Sequence, residues 1–433
     1  MKHPAKWGSA VALAASLAML ATGCSSSNAT GNPTGDGGTA ENPITLTFWG
    51  SYGNGGNSTQ QDALNKTLIP AFEDANPGIR VKYVDVAYDD LLKKLTTSAA
   101  GGELPDLVRA DLGWVPQFAD LGVLVPLSDT MDDFDTLAQA VYPGSLATNL
   151  YEGKYYGLPL DTNTRVLITS QKALDAAGMS APPKTFDEFK AMGEKLKGTK
   201  ISLFADSGLG AWNISPWIWS GGGDLTNADR TKASGYLDSD TNVATIQMLV
   251  DLYKEGLIPN LITGNSGATG TSDGLPTGKY ATIFDGPWMQ GIWTGQYPDF
   301  TPIYAPIPAG AGGSISVVGG EDIVLTSSSK HQEAAMKFIR FTQSDEFQLA
   351  MVKTGQMTVI PALADQETGI EAYYSTFSAQ LKTANNRLAI PQASKVDTIL
   401  STELTPAFLG KVSVKDALSK AAAQIDPLLA GGK

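Results

Sequence analysis

The chain is poor in the side chains on which most enzymes and disulfide-bonded domains depend: one cysteine, Cys24, and two histidines in 433 residues. A single thiol excludes an internal disulfide, so a folded body must be held together by burial and hydrogen bonds alone. His3 falls within the N-terminal leader and His331 is the one remaining histidine, beside Lys330 at a predicted helix start, where a capping role is expected, so neither a Ser-His-Asp triad nor a histidine-based zinc site is indicated. No nucleophile elbow occurs. The one stretch resembling a phosphate-binding loop fails, because Asp273 stands where glycine is required and Tyr280 follows Gly278-Lys279. Positive charge is also scarce: 31 Lys and Arg face 44 Asp and Glu, a net charge of −13. Such a surface repels nucleic acid and anionic lipid. Catalytic, metal and cofactor sites are therefore not expected.

Long apolar runs are missing as well. Ala10 to Ala21 is uncharged and apolar but too short to span a bilayer. It follows Lys2 and Lys6 and leads through Thr22-Gly23 into Cys24, which is the layout of a secretory leader, residues 1–23. A cysteine directly after small residues resembles a bacterial lipobox, although Ala21 stands where leucine is most common. That resemblance implies lipidation of Cys24 and attachment to the outer side of the cell membrane. Residues 24–43 have the composition of a flexible polar tether, and the body is expected to begin near Ile44.

A body of this length exceeds what one core usually organises, so two lobes are expected. Ile44 to Trp49 alternates with period two and ends at Gly50, as a strand running into a loop would. Leu64, Leu68, Ala71, Phe72 and Ala75 follow at helical spacing until Asn76-Pro77-Gly78. Residues 79–86 and 107–111 read as further strands, with a helix over 90–99 between them. Strands alternating with helices predict an α/β fold with a parallel sheet, whose ligands bind at the carboxyl ends of the strands. Thr185-Phe186-Asp187-Glu188 is a capping-box start. Later strands are predicted at 280–284 and 315–325, and helices at 331–342, 347–354, 396–408 and 414–429.

Aromatic and acidic residues recur together where strands are predicted to end. Asp111 and Trp114 follow the third strand; Asp161 and Asn163 follow Tyr155-Tyr156-Gly157-Leu158-Pro159; Trp217 and Trp219 precede Gly221-Gly222-Gly223. Asp285 and Trp288 lie in Phe284-Asp285-Gly286-Pro287-Trp288, and Glu321 follows Gly319-Gly320. Sugar faces present C–H groups that pack on aromatic rings, while a carboxylate accepts from neighbouring hydroxyls in strong charge-assisted bonds. Each tryptophan has a competing reading as core, and each aspartate as a helix cap or turn residue. Paired carboxylates also suit a glycoside hydrolase. That reading, and a binding protein for a non-sugar solute, stand as alternatives.

Six segments in order behind the lipobox resemble the extracellular solute-binding lipoproteins of ABC importers, in the oligosaccharide-binding group. They are Thr47-Phe48-Trp49-Gly50, Ile69-Pro70-Ala71-Phe72-Glu73, Gly102-Glu103-Leu104-Pro105-Asp106-Leu107, Tyr155-Tyr156-Gly157-Leu158-Pro159, Phe284-Asp285-Gly286-Pro287-Trp288 and Gly319-Gly320-Glu321. The resemblance implies a two-lobe, type II periplasmic-binding-protein-like α/β fold with a multi-crossover hinge. It implies one lobe from 44–160 with 305–362 and the other from 161–304 with 363–433. The sugar, of two or three units, would lie between them and pass to a membrane permease, with the chain a non-enzymatic monomer. By similarity Ser51, Tyr52, Asp111, Trp114, Asp161 and Asn163 would line the cleft from one side. Trp217, Trp219, Gly222, Asp285 and Trp288 would face them, and Gly320, Glu321 and Arg387 would close the site.

Overall fold

Alternation becomes pleat at the start of the body, where Leu46 and Phe48 are buried and Thr45 is exposed. The computed structural model describes residues 38–53, 58–264 and 267–430. The leader, most of the tether and the lipidation reading at Cys24 lie outside these residues. In chain order the strands are β1 (Ile44–Gly50), β2 (Ile79–Asp85), β3 (Leu107–Asp111), β4 (Leu150–Tyr151), β5 (Lys154–Tyr155) and β6 (Gly157–Thr164). They continue with β7 (Val166–Ser170), β8 (Ser202–Ala205), β9 (Tyr280–Asp285), β10 (Pro302–Ala305), β11 (Ser316–Leu325) and β12 (Ala384–Asn386).

Two mixed sheets result. The first has the order β12-β11-β3-β1-β2, with β6 also on β11; the second has the order β10-β7-β9-β8. The alternation of strands and helices holds for β1, β2 and β3, which are parallel. It fails at β11, which runs antiparallel to both β3 and β6. The reason is topological: β11 arrives from the second sheet rather than through a local crossover helix, so nothing requires it to run parallel.

Helices Gln332–Thr342 and Asp345–Val352 bring buried Phe338 and Phe347 to the core of the first sheet. There Phe338 packs edge-on against Phe48 and Phe72, with ring centroids 5.6 and 5.0 Å away. On the second side the Thr185 cap forms as expected, while the return bond of the capping box shifts by one residue. Thr185 Oγ1 accepts from the Glu188 amide at 3.2 Å and opens helix Phe186–Leu196, while the Glu188 carboxylate reaches back to the Lys184 amide at 2.7 Å. Helices Asp240–Lys254, Ala393–Phe408 and Val414–Ala430 contribute Leu249, Leu400 and Leu418 to this second core. The chain passes between the sheets at Arg165, which alone separates β6 from β7, again over residues 306–315, and again after β12.

Candidate functional site

Strand register assembles the centre of the site. Glu321 on β11 faces Asp111 on β3 and Asp161 on β6, so three carboxylates meet at one level beside a bulge between Glu321 and Asp322. Three acids together need a cation. It is Arg109, two residues before Asp111 and therefore on the same face of β3. Its guanidinium lies 2.8 Å from Glu321 and 3.2 Å from Asp161, donates to Ser51 Oγ at 3.0 Å, and rests 4.5 Å from the centre of the Tyr52 ring. Burial opposes the Arg109 charge, but Glu321 and Asp161 more than offset it and hold the group above its usual value. Burial, with Asp161 adding to it and Arg109 opposing, pushes the Glu321 carboxyl well up. Burial likewise raises the Tyr52 phenol.

The third carboxylate has its own partners. Arg387 reaches both oxygens of Asp111 at 2.9 Å, the Tyr88 hydroxyl donates to it at 2.7 Å, and the Gly113 amide at 2.8 Å fixes the turn toward Trp114. Trp114 packs on Tyr88 with centroids 5.4 Å apart. Gly320, at φ +135°, is required by backbone proximity, since a Cβ there would lie 2.3 Å from the Asp161 carbonyl oxygen.

An aromatic pair adjoins this polar cluster. Trp212 and Trp288 stack with centroids 6.4 Å apart and an interplanar angle of 28°. Arg387 sits 5.3 Å over the Trp212 ring, which links the plates to Asp111. Asn163 Oδ1 and the Trp212 ring both crowd the face of Gly319. The Trp288 indole folds back over Gly286, where a Cβ would lie 2.1 Å from the ring. Asp285 accepts from the Gly286 amide at 2.9 Å. Burial pushes its carboxyl up to about 6, with Arg165 partly opposing. Tyr52 Oη, Asn163 Oδ1 and Arg387 Nε are buried without a hydrogen-bond partner among the described residues.

The structure thus brings Ser51, Tyr52, Asp111, Trp114, Asp161, Asn163, Gly320, Glu321 and Arg387 together, with Trp288 and Asp285 beside them. Two expectations are corrected. Trp217 is a core residue, 1% exposed, stacked on Phe284 at 4.7 Å and packed on Phe189 and Phe204, each at 5.2 Å. Trp219, by contrast, donates its indole N–H to Asp224 at 2.9 Å and lines the larger of two cavities, so it keeps its place among the candidates. Gly222, at φ +95°, backs the turn at Ala311 and Gly312. The misplacement of Trp217 has a simple cause. The helix Ala211–Ser220 carries three tryptophans, and its phase, which spacing alone does not reveal, turns Trp217 inward and leaves Trp212 to meet Trp288.

Two cavities flank the shared wall of Ala211 and Arg387. One, about 30 Å³, is bounded by Asp111, Gly113, Trp114 and Asp397. The other, about 770 Å³, is lined by Tyr142, Ser145, Trp219, Asn227 and Ser378 among others. The larger space is lined by Trp219, Asp224, Asn227, Arg230, Asn386 and Arg387 among other aromatic, charged and amide groups. Trp212, Trp288, Tyr52 and Asn163 are in the lining of neither cavity.

Buried ionic groups held by opposite charges, hydroxyl and amide groups with free valences, and paired indoles on a two-sheet frame define a recognition site for a solute. The comparisons agree. Residues 55–349 match the family of bacterial extracellular solute-binding proteins, and the chain belongs to that family. It is similar to a diacetylchitobiose-binding protein of Streptomyces coelicolor, 26% identical over 89% of this chain and 90% of that one. An uncharacterized lipoprotein of Streptomyces antibioticus is 30% identical over 76% of this chain and 71% of its own length. Among solved structures, an ABC-transporter solute-binding protein of Thermotoga lettingae bound to α-D-tagatose superposes with a TM-score of 0.78 at 26% identity. That match covers 89% of this chain and 99% of the other. The fold is the two-lobe, type II binding-protein fold, and the chain is a binding protein rather than an enzyme, which sets the hydrolase alternative aside.

Proposed function

We propose that the chain captures a neutral short oligosaccharide, of two or three units, outside the cell and delivers it to an ABC permease. The single observation that carries this reading is the stacked Trp212–Trp288 pair beside the Arg109, Asp111, Asp161, Glu321 and Arg387 cluster. Two arginines face three carboxylates, of which burial pushes Glu321 toward its neutral form, so the cluster is close to charge balance and an uncharged ligand meets the least desolvation cost. Tyr52, Asn163 and Arg387 retain polar valences for hydroxyls, and indole faces suit sugar C–H groups. The names of the relatives support the sugar class.

Ser51, Tyr52, Asp111, Trp114, Asp161, Asn163, Trp219, Trp288, Glu321 and Arg387 are the proposed contacts, with Arg109 and Trp212 added and Asp285 and Gly320 supporting. The proposed lobes divide at the crossings, 44–164 with 316–386 and 166–305 with 387–430, in place of the bounds at 160, 304 and 362 expected from the sequence. Ligand that touches both lobes favours the closed arrangement, and a full shift from open to closed needs about 5.5 kcal/mol of differential binding. The body would act as a monomer tethered by lipid on Cys24. Titrating it with oligosaccharides while following tryptophan emission should give saturable changes. A response to charged solutes alone would overturn the sugar assignment, and retention at the membrane of a Cys24→Ser variant would overturn the anchor.

A further inference from the structure

Arg165 is the one residue between β6 and β7, and its side chain is almost wholly buried. The geometry points to Arg165 as the positioning residue of the aromatic clamp: from the crossing between the sheets it holds the Trp212 plate against Trp288. The inference rests on the ligand-binding reading above only for its effect on affinity.

The hold depends on a local break in helix Ala211–Ser220. Pro216 has no N–H, so the carbonyl of Trp212, four residues earlier, loses its intrahelical donor. Arg165 Nη1 takes that carbonyl at 3.0 Å, while its guanidinium lies 5.4 Å from the centre of the Trp212 ring. Nη2 of the same group reaches the Phe284 carbonyl at 2.5 Å and Asp206 Oδ1 at 2.9 Å. Phe284 immediately precedes Asp285, Gly286 and Pro287, the turn over which Trp288 folds. One planar guanidinium therefore ties the backbone of the first plate to the strand that delivers the second. A lysine, with a single ammonium centre, cannot span these acceptors. The helix start is pinned as well. Asp397 accepts from the Ala211 amide at 2.7 Å, and Asn213 Nδ2 donates to Asp206 at 2.5 Å, so Arg165 completes a frame in which only the ring orientation remains to be set.

Two variants test this in the full-length body. Arg165→Lys keeps a cation beside Asp206 but gives up the bridge; Pro216→Ala restores an N–H that competes with Arg165 for the Trp212 carbonyl. Near-ultraviolet circular dichroism of the ligand-free protein reads the stacked pair directly, with Trp212→Phe as the reference for its loss. Both variants should move the spectrum toward that reference, retain cooperative unfolding, and lower oligosaccharide affinity, by about tenfold for Arg165→Lys and less for Pro216→Ala. Wild-type spectra in both variants would overturn the proposal. Should wild-type protein bind no oligosaccharide, the functional reading falls, and the ligand-free spectra still decide the role of Arg165.

Discussion

Replacing Glu367 with glutamine should stabilise the protein at alkaline pH and leave it unchanged in acid. Glu367 is buried, and its partners are a neutral amide and a hydroxyl: Thr358 N–H at 2.7 Å and Ser378 Oγ at 3.2 Å. Burial raises its carboxyl from 4.5 to about 7, with the two hydrogen bonds opposing. The folded state therefore keeps a proton that the unfolded chain has released. Stability falls as pH rises from about 4.5 to about 7 and stays low above it. A shift of this size corresponds to about 3 kcal/mol. Glutamine accepts from Thr358 through its oxygen and donates to Ser378 through its nitrogen, so it preserves both contacts without the charge. Urea midpoints of the two proteins should coincide near pH 4.5 and diverge in favour of the variant near pH 8. A wild-type midpoint that is flat across this window, or a variant less stable at pH 8, would refute the reasoning.

Trp217→Ala should cost about 3–5 kcal/mol in denaturant unfolding, as expected for a large ring lost from a closed core. Trp288→Ala should do the reverse, lowering ligand affinity at least about tenfold with melting little changed, as isothermal titration and calorimetry would show. Arg109→Met should leave the buried Asp161 and Glu321 carboxyls without their cation, a loss of about 3–5 kcal/mol in denaturant unfolding at neutral pH. Because Asp285 lies beside Trp288 and its carboxyl is raised to about 6, tryptophan emission should titrate near that pH and lose the transition in Asp285→Asn.

Much of this was legible in the chain. The alternation of Ile44 to Trp49, the Thr185 cap and the apolar spacing of the late helices describe local forces, and local forces suffice to form those elements. Asp111, Asp161 and Glu321 were recognisable as candidate acids, although only Asp111 ends its strand and the other two lie inside β6 and β11. Their convergence was not, because it depends on β11 pairing with strands that lie far upstream, and no short-range signal carries register over such a separation. Arg109 was discoverable in principle from its two-residue spacing to Asp111. Trp212 was harder: three tryptophans on one short helix differ only in phase, and a proline within it adds backbone valence without revealing direction.

The placement of β11 also sets an order of events. It lies inside the first sheet, between β12 and β3, and Leu325 pairs with Leu107 although most of the second lobe is encoded between them. Until Ser316–Leu325 has emerged, the early strands have an unfilled edge and the three acids lack their meeting point. Arrival of that one strand thus fills the open edge and gathers the acids in a single event, leaving β12 and Arg387, both encoded later, to complete the wall beside them.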